Sequence, residues 1–212
     1  MKKPVLTIFI LLFSTAIFCQ VSKQIYESPN LKNTIKSHKK IAILPIHVTI
    51  SYKKTPKNYD AEINKTEQEK QGISIQTAMY TYILRKTNDF TVTCQDPETT
   101  NILLKKAGLT NDLSEIMKDS ICKLLKVDAV ISSTYNYEKT GSEAGAIAKS
   151  LIFGAAAGGV ASGLLTMQIY NGTDGEMLWR FTKEMNETAF SSANEMVERL
   201  MRKVTRNFPY EK

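Results

Sequence analysis

Histidines, cysteines and closely spaced carboxylates are the side chains of this protein that could do chemistry. The two histidines, His38 and His47, do not belong to an HExxH or similar ligand pair, so the sequence predicts no zinc site. His38 lies in a basic arm, whereas His47 alternates with Ile46 and Val48 in a predicted strand. We therefore expect a partly buried, structural role for His47.

Nucleophiles and acid–base pairs are also missing from the sequence pattern. The chain contains no GxSxG, GxxxxGK[ST] or CxxC motif, the short patterns of a serine nucleophile, a phosphate loop and a redox pair. The pairs Asp60 with Glu62 and Glu67 with Glu69 lie in or beside a polar loop and at a predicted helix start. Acidic side chains are favoured there by the helix dipole. We predict that the protein is not an enzyme and holds no catalytic residue, metal or cofactor.

Four aromatic residues lie on neighbouring predicted strands. Stacking on such a sheet could bind sugar rings or bases, but cross-strand aromatic pairs are ordinary stabilisers of sheets. We predict a packing role for them and no nucleic-acid partner. These residues are Tyr135, Tyr137, Tyr170 and Trp179.

The amino terminus has the pattern of a secretory signal peptide at 1–19. Lys2 and Lys3 precede an apolar run at 5–18 that is too short to span a bilayer comfortably. Cys19 leaves two alternatives open, which are cleavage after it or lipidation of its thiol. Both predict an exported protein of the periplasm or the outer membrane. The formal net charge of +7 falls to +5 without Lys2 and Lys3. An ordinary solvated surface accounts for this mild excess, and the alternative is a contact with anionic lipid or cell-wall polymer rather than nucleic acid.

Cys94 and Cys122 are the cysteines that follow the signal peptide. Two cysteines in an oxidising compartment could form a disulfide. The alternative is a buried free thiol, because Cys94 lies on the same face of a predicted strand as Phe90 and Val92.

The elements that position these residues follow from hydrophobic periodicity and capping signals. A β-branched run at 41–50 predicts the first strand, in which Pro45 indicates an edge or a bulge. A capping box at 66–69 predicts the start of a helix. The further predicted elements are a strand at 90–94, helices at 96–108 and 112–125, a strand at 128–138, a hairpin of strands at 165–170 and 176–181, and a terminal helix from 192.

This order, β-α-β-α-α-β-(insert)-β-β-α, predicts an α/β (α+β) fold. We expect a single mixed sheet packed with helices, in one domain at 41–210. The polar residues at 20–40 are expected to form a linker or an edge arm.

An apolar insert at 141–163 interrupts this domain. The stretch at 144–165 holds half of the chain's ten glycines and a single charge, Lys149. Gly154-x-x-x-Gly158 and Gly159-x-x-x-Gly163 have the spacing with which apolar helices pack closely. Three interpretations remain open: a helix or helical hairpin packed on the sheet, association with a bilayer or with copies of the protein, and a transmembrane helix within the uncharged run at 150–173. The candidate contact or oligomerisation residues are Lys149, Phe153, Gly154, Gly158, Gly159 and Gly163.

Several short motifs resemble the exported α/β domains of the CsgG, LpoB and TolB amino-terminal group. They are an AILP strand at 42–45, a DFTV strand at 89–92, the LKVDAV entry into a strand at 125–130 and the DGEMLW hairpin at 174–179. The resemblance covers about 40–208 and implies a non-enzymatic accessory protein of the bacterial envelope. Such a protein would act by binding another protein or a membrane surface. The alternative that it implies is a membrane-associated oligomer, such as a CsgG-like secretion or pore component, that uses the insert.

Overall fold

The computed structural model of the protein describes residues 24–109, 113–139, 159–188 and 193–212. Within these ranges the chain forms seven strands and five α-helices. In chain order they are β1 (Gln24–Glu27), α1 (Leu31–Thr34), β2 (Lys40–Ile43), β3 (His47–Tyr52), α2 (Ala61–Arg85), β4 (Thr93–Cys94), α3 (Pro97–Lys106), α4 (Lys118–Leu125), β5 (Ala129–Lys139), β6 (Gly159–Asn171), β7 (Met177–Thr188) and α5 (Ala193–Val204).

All seven strands belong to one mixed sheet with the order β1-β7-β6-β5-β2-β4. The long strand β5 is its centre, because it pairs in parallel with β2 near its start, in parallel with β3 near its end, and antiparallel with β6 on its other side. We call the end at which β2 and β5 begin the proximal end. The end at which β3 and β5 finish and β6 begins is the distal end.

Side-chain alternation along the strands divides the interior into two cores of unequal size. In β2, Ile41 and Ile43 point into the large core beneath α2 and α5, while Ala42 points into a small core beneath α3 and α4. The small core receives Val130 from the start of β5 but no residue of β3. Within the described residues, helices therefore cover this face of the sheet at its proximal half only.

The predicted fold class and element order are confirmed, with local differences. The predicted strand at 41–50 is two strands, since Pro45 has no N–H with which to continue the ladder. The long helix α2 begins before the predicted capping box at 66–69, because the Asp60 carboxylate accepts hydrogen bonds from the backbone N–H groups of Glu62 and Ile63 at 2.8 and 2.9 Å. The predicted linker or edge arm contains β1, which lies at the edge of the sheet against β7.

The strand after the insert is longer than predicted. The hairpin of β6 and β7 is present, with Gly175 at a φ of +74° in its turn. However, β6 begins at Gly159 rather than at 165, so residues 159–163 of the predicted insert are strand. A transmembrane helix at 150–173 is therefore wrong. Among the helices that the structure describes, none is long and apolar enough to cross a membrane.

Candidate interaction surface at the distal end

The distal end of the sheet is where the glycine–alanine stretch leaves the described domain and returns to it. Lys139 is the last residue of β5 and Gly159 is the first residue of β6. Of the predicted contact residues, Lys149, Phe153, Gly154 and Gly158 lie outside the described residues. Gly159 and Gly163 belong to β6, so the helical packing predicted from their spacing is wrong.

Gly163 is explained by its neighbour in the sheet. It pairs with Tyr137, and a Cβ atom at Gly163 would lie 2.5 Å from the Tyr135 hydroxyl oxygen and 2.6 Å from a carbon of the same ring. Only a residue without a side chain leaves room for this buried ring. Tyr135 in turn stacks on Tyr137, with the ring centres 5.8 Å apart. The glycine therefore allows an aromatic pair to lie flat across β5 and β6.

A cation–aromatic cluster ties the end of β5 to α2. It consists of Tyr52, Glu67, Tyr137 and Lys139, and we call it the root cluster. The Lys139 ammonium lies 5.4 Å from the Tyr52 ring centre and 5.9 Å from that of Tyr137, and it donates to Glu67 Oε1 at 3.1 Å. Burial lowers the pKa of Lys139, but the hydrogen bond and the charge of Glu67 outweigh burial and raise it overall. Lys139 is therefore a charged anchor for the strand from which the insert departs.

The first half of α2 is fixed against the outer edge of β3. Tyr52 donates through its hydroxyl to Asn64 Oδ1 at 3.1 Å, and Asn64 Nδ2 donates to the Ile50 carbonyl at 3.4 Å. Further along, a Cβ at Gly72 would clash with the Ile46 carbonyl oxygen, so the backbone of α2 lies close to the residue just before β3. These contacts shield an edge that would otherwise be free to pair with another strand.

Polar side chains cover the distal half of the sheet on the face opposite α2. They alternate with the large-core residues of the same strands, and no helix in the described ranges packs over them. We call this surface the open face. Its exposed residues include His47, Thr49, Ser51, Asn136, Glu138 and Leu164.

One histidine is exposed and the other is buried. His47 is exposed on the open face, so the predicted partly buried role is wrong. His38 is buried at the proximal end, with Nδ1 2.7 Å from the Tyr210 hydroxyl and Nε2 3.2 Å from Asn171 Oδ1. Burial lowers the pKa of His38, and the Asn171 contact offsets this only in part. The sequence did not indicate this site, because the partners of His38 lie 133 and 172 residues further along the chain.

Asn171 determines which nitrogen of His38 carries the hydrogen. Its Nδ2 donates to Asp174 Oδ1 at 2.9 Å, so its Oδ1 faces His38 as an acceptor. Nε2 of the neutral ring is then the donor, and Nδ1 accepts from the Tyr210 hydroxyl. The cluster is complete without a ligand.

Of the two alternatives for Cys94 and Cys122, the structure has the free thiols and not the disulfide. Cys94 packs against the large core, whereas Cys122 belongs to the small core on the other face of the sheet. Burial raises the pKa of both thiols to about 12. Neither thiol is therefore a ready nucleophile.

One carboxylate of each candidate pair has a structural partner. Asp60 caps α2, and Glu67 belongs to the root cluster. In the described part of the chain, no group of three or more histidine, cysteine or acidic side chains is placed to hold a metal ion. The aromatic residues pack as predicted: Trp179 is buried and stacks on Phe181, and Tyr170 packs against the small core.

Comparison with known proteins finds a similar structure but no match by sequence. No protein-family model and no curated protein matches the sequence. Among solved structures, lipoprotein GNA1162 from Neisseria meningitidis is similar over 80% of this chain and 96% of its own, with 11% identity and a TM-score of 0.50. This likeness shows a shared fold with a bacterial lipoprotein.

Two more remote structures also match. A PelC dodecamer from Paraburkholderia phytofirmans is similar over 90% of this chain and 99% of its own, with 14% identity and a TM-score of 0.43. The LpoB C-terminal domain from Salmonella enterica is similar over 75% of this chain and 94% of its own, with 12% identity and a TM-score of 0.36. The resemblance to CsgG and TolB stays a prediction.

Proposed function

We propose that the protein is an exported accessory factor of the bacterial envelope that acts by binding, and that the distal end of its sheet is the contact surface. The root cluster carries this proposal. It fixes Lys139 against two aromatic rings and α2, next to the point where the apolar stretch leaves the domain. The strand end from which this segment departs is thereby held in a defined position, as rigid scaffolds hold the ends of binding segments. The fold shared with a bacterial lipoprotein supports the envelope location.

Replacing the segment by a tight turn tests the proposal. Lys139 pairs directly with Ala161, so an Asn-Gly dipeptide in place of 140–160 can close β5 and β6 as a two-residue hairpin. A second variant replaces 140–158 by a glycine–serine linker of equal length. It keeps the length of chain between β5 and β6 and removes the apolar side chains.

In situ cross-linking and envelope fractionation give the measurement. We expect both variants to fold and to lose the envelope partner that the parent protein captures. Capture of the same partner by both variants would refute the proposal. If the hairpin variant unfolds, the linker variant alone decides between a binding segment and a core element.

Self-association is a second candidate, favoured by the outer edge of β7. β1 covers this edge along 179–182, and no described strand pairs with the outer side of 184–188. Unpaired edge groups are templates for another strand, including one from a second copy. Light scattering after size-exclusion chromatography should then show a discrete oligomer, whereas a monomer at every concentration would contradict this candidate.

A further inference from the structure

We propose that the distal end of the sheet faces a membrane, and that loop 53–59 and the first turn of α2 contact anionic lipid headgroups. This inference rests on the proposed function, because it names a lipid surface as a partner of the same end. Three independent observations carry it: the charge of the loop, the apolar side chains beside it and the direction in which the chain leaves the domain.

The charge of the loop is uniformly positive. Lys53, Lys54 and Lys57 are exposed, and residues 53–59 contain no acidic side chain. Two acidic residues follow the loop: Asp60, whose carboxylate accepts from two backbone N–H groups of α2, and Glu62, which is exposed in the first turn. The three lysines of the loop outnumber these two carboxylates. Each lysine close to an anionic bilayer strengthens binding by about fivefold. The loop therefore has the charge that a negatively charged surface would attract.

Apolar side chains stand next to these lysines. Ile63 in the first turn of α2 is 68% exposed, and Tyr59 is 45% exposed. Tyr59 also contacts Tyr52 of the root cluster edge to face, with the ring centres 5.7 Å apart. An aromatic residue that is held by a ring contact and is partly exposed suits the boundary between headgroups and acyl chains. Lysine and apolar side chains together favour a lipid surface over an acidic protein.

The chain also leaves the domain toward this end. β1 runs antiparallel to β7 with Gln24 opposite Thr182, so the amino end of β1 points toward the distal end. Gln24 lies five positions after the predicted processing site at Cys19. Lys139 and Gly159, which flank the apolar stretch in the sequence, are at the distal end as well. The described ends that lead to the predicted signal segment and to the apolar stretch therefore lie toward the same side of the domain.

Vesicle flotation with the exported full chain tests the charge of the loop. The probes are vesicles of phosphatidylethanolamine with phosphatidylglycerol and vesicles of phosphatidylcholine alone. We expect the triple variant Lys53→Gln, Lys54→Gln, Lys57→Gln to bind the anionic vesicles on the order of 100-fold more weakly than the parent. Added salt should weaken the parent's binding.

A matched variant controls for net charge. It carries Lys105→Gln, Lys106→Gln and Lys126→Gln, which remove three exposed lysines from the end of α3 and the turn before β5. We expect this variant to bind anionic vesicles as the parent does. Equal loss in both triple variants, or equal binding of the parent to both vesicle types, would overturn the proposal.

Two tryptophan variants test the orientation independently of charge. Ile63 and Ile73 are both exposed on α2, at 68% and 51%, but Ile63 is ten residues closer to the distal end. Anionic vesicles should shift the emission of Ile63→Trp to the blue and leave that of Ile73→Trp unchanged. The single native tryptophan, Trp179, is buried and gives both variants the same background. Equal shifts in the two variants would refute this orientation.

The two proposals fail in different ways. If the parent protein binds no vesicles but still captures an envelope protein in situ, the lipid inference is wrong and the proposed function stands. If the partner is captured equally by the chain that lacks 140–160, the proposed function is wrong whatever the vesicles show.

Discussion

A cluster of polar and aromatic side chains lies at each end of the sheet, and the two clusters differ in their exposure to solvent. At the proximal end, His38, Asn171 and Tyr210 are buried, and their hydrogen bonds are made to one another. At the distal end, Tyr52, Glu67 and Lys139 also form a polar cluster, but they remain partly exposed beside an open face. A buried polar network is stable only when every member is satisfied. The side chains at the proximal end are thus buried by their own contacts. Those at the distal end are held by their contacts but remain partly exposed.

Replacement of His38 should have the largest effect on stability. His38→Leu leaves Asn171 Oδ1 and the Tyr210 hydroxyl without their buried partner, at a cost of about 2–4 kcal/mol. Urea unfolding followed by Trp179 fluorescence measures this free energy. His38→Gln is the control, because its amide can replace part of the hydrogen bonding. A loss below about 1 kcal/mol in His38→Leu would mean that the proximal cluster is not a closing element.

Filling the space above Gly163 should be the most costly single change at the distal end. A Cβ in Gly163→Ala would lie 2.5 Å from the hydroxyl oxygen of the buried Tyr135, and overpacking of this kind costs about 1–3 kcal/mol. The double variant Gly163→Ala, Tyr135→Leu should recover part of this loss if the clash with the ring is its cause. Additive losses in the unfolding experiment would contradict that explanation.

The pH dependence of stability separates the two ends further. Burial lowers the pKa of His38 below its usual value of 6.5, so its contribution to folding is complete above pH 6.5 and is lost as pH falls toward the lowered value. The pKa values of Asp119 and Asp128 are also lowered, but their contributions are lost below about pH 4. Unfolding free energies between pH 7.5 and 5 should therefore fall in the parent and stay level in His38→Gln. An unchanged slope in the variant would assign the effect elsewhere.

Local sequence signals predicted most of the fold and little of the two clusters. The Asp-Gly turn, the capping residue Asp96 and the β-branched runs each act within a few residues, so the predicted element order was correct. His38 depends on partners 133 and 172 residues away, and Lys139 depends on Glu67, 72 residues away, as well as on nearby Tyr137. No local pattern indicates the distant partners. Gly163 was predicted as a contact residue because small residues favour helix packing, but the same property serves an aromatic ring in a strand.

Breaking the ion pair in the root cluster should cause the smallest loss of unfolding free energy. A fully buried ion pair would cost far more to break. Lys139 and Glu67 have side chains that are 28% and 49% exposed, so Glu67→Gln should cost less than about 1 kcal/mol. Since Glu67 helps to raise the pKa of Lys139, the pair's contribution is complete below pH 10.5 and is lost as pH rises through the raised value.

Lys139→Met keeps a long apolar stem and should cost slightly more, because the cation also lies over the Tyr52 and Tyr137 rings. A double-mutant cycle in urea separates the ion pair from the aromatic contacts. A coupling above about 2 kcal/mol would show that the distal end is as closed as the proximal one, and would remove the accessibility on which its role as a contact surface depends.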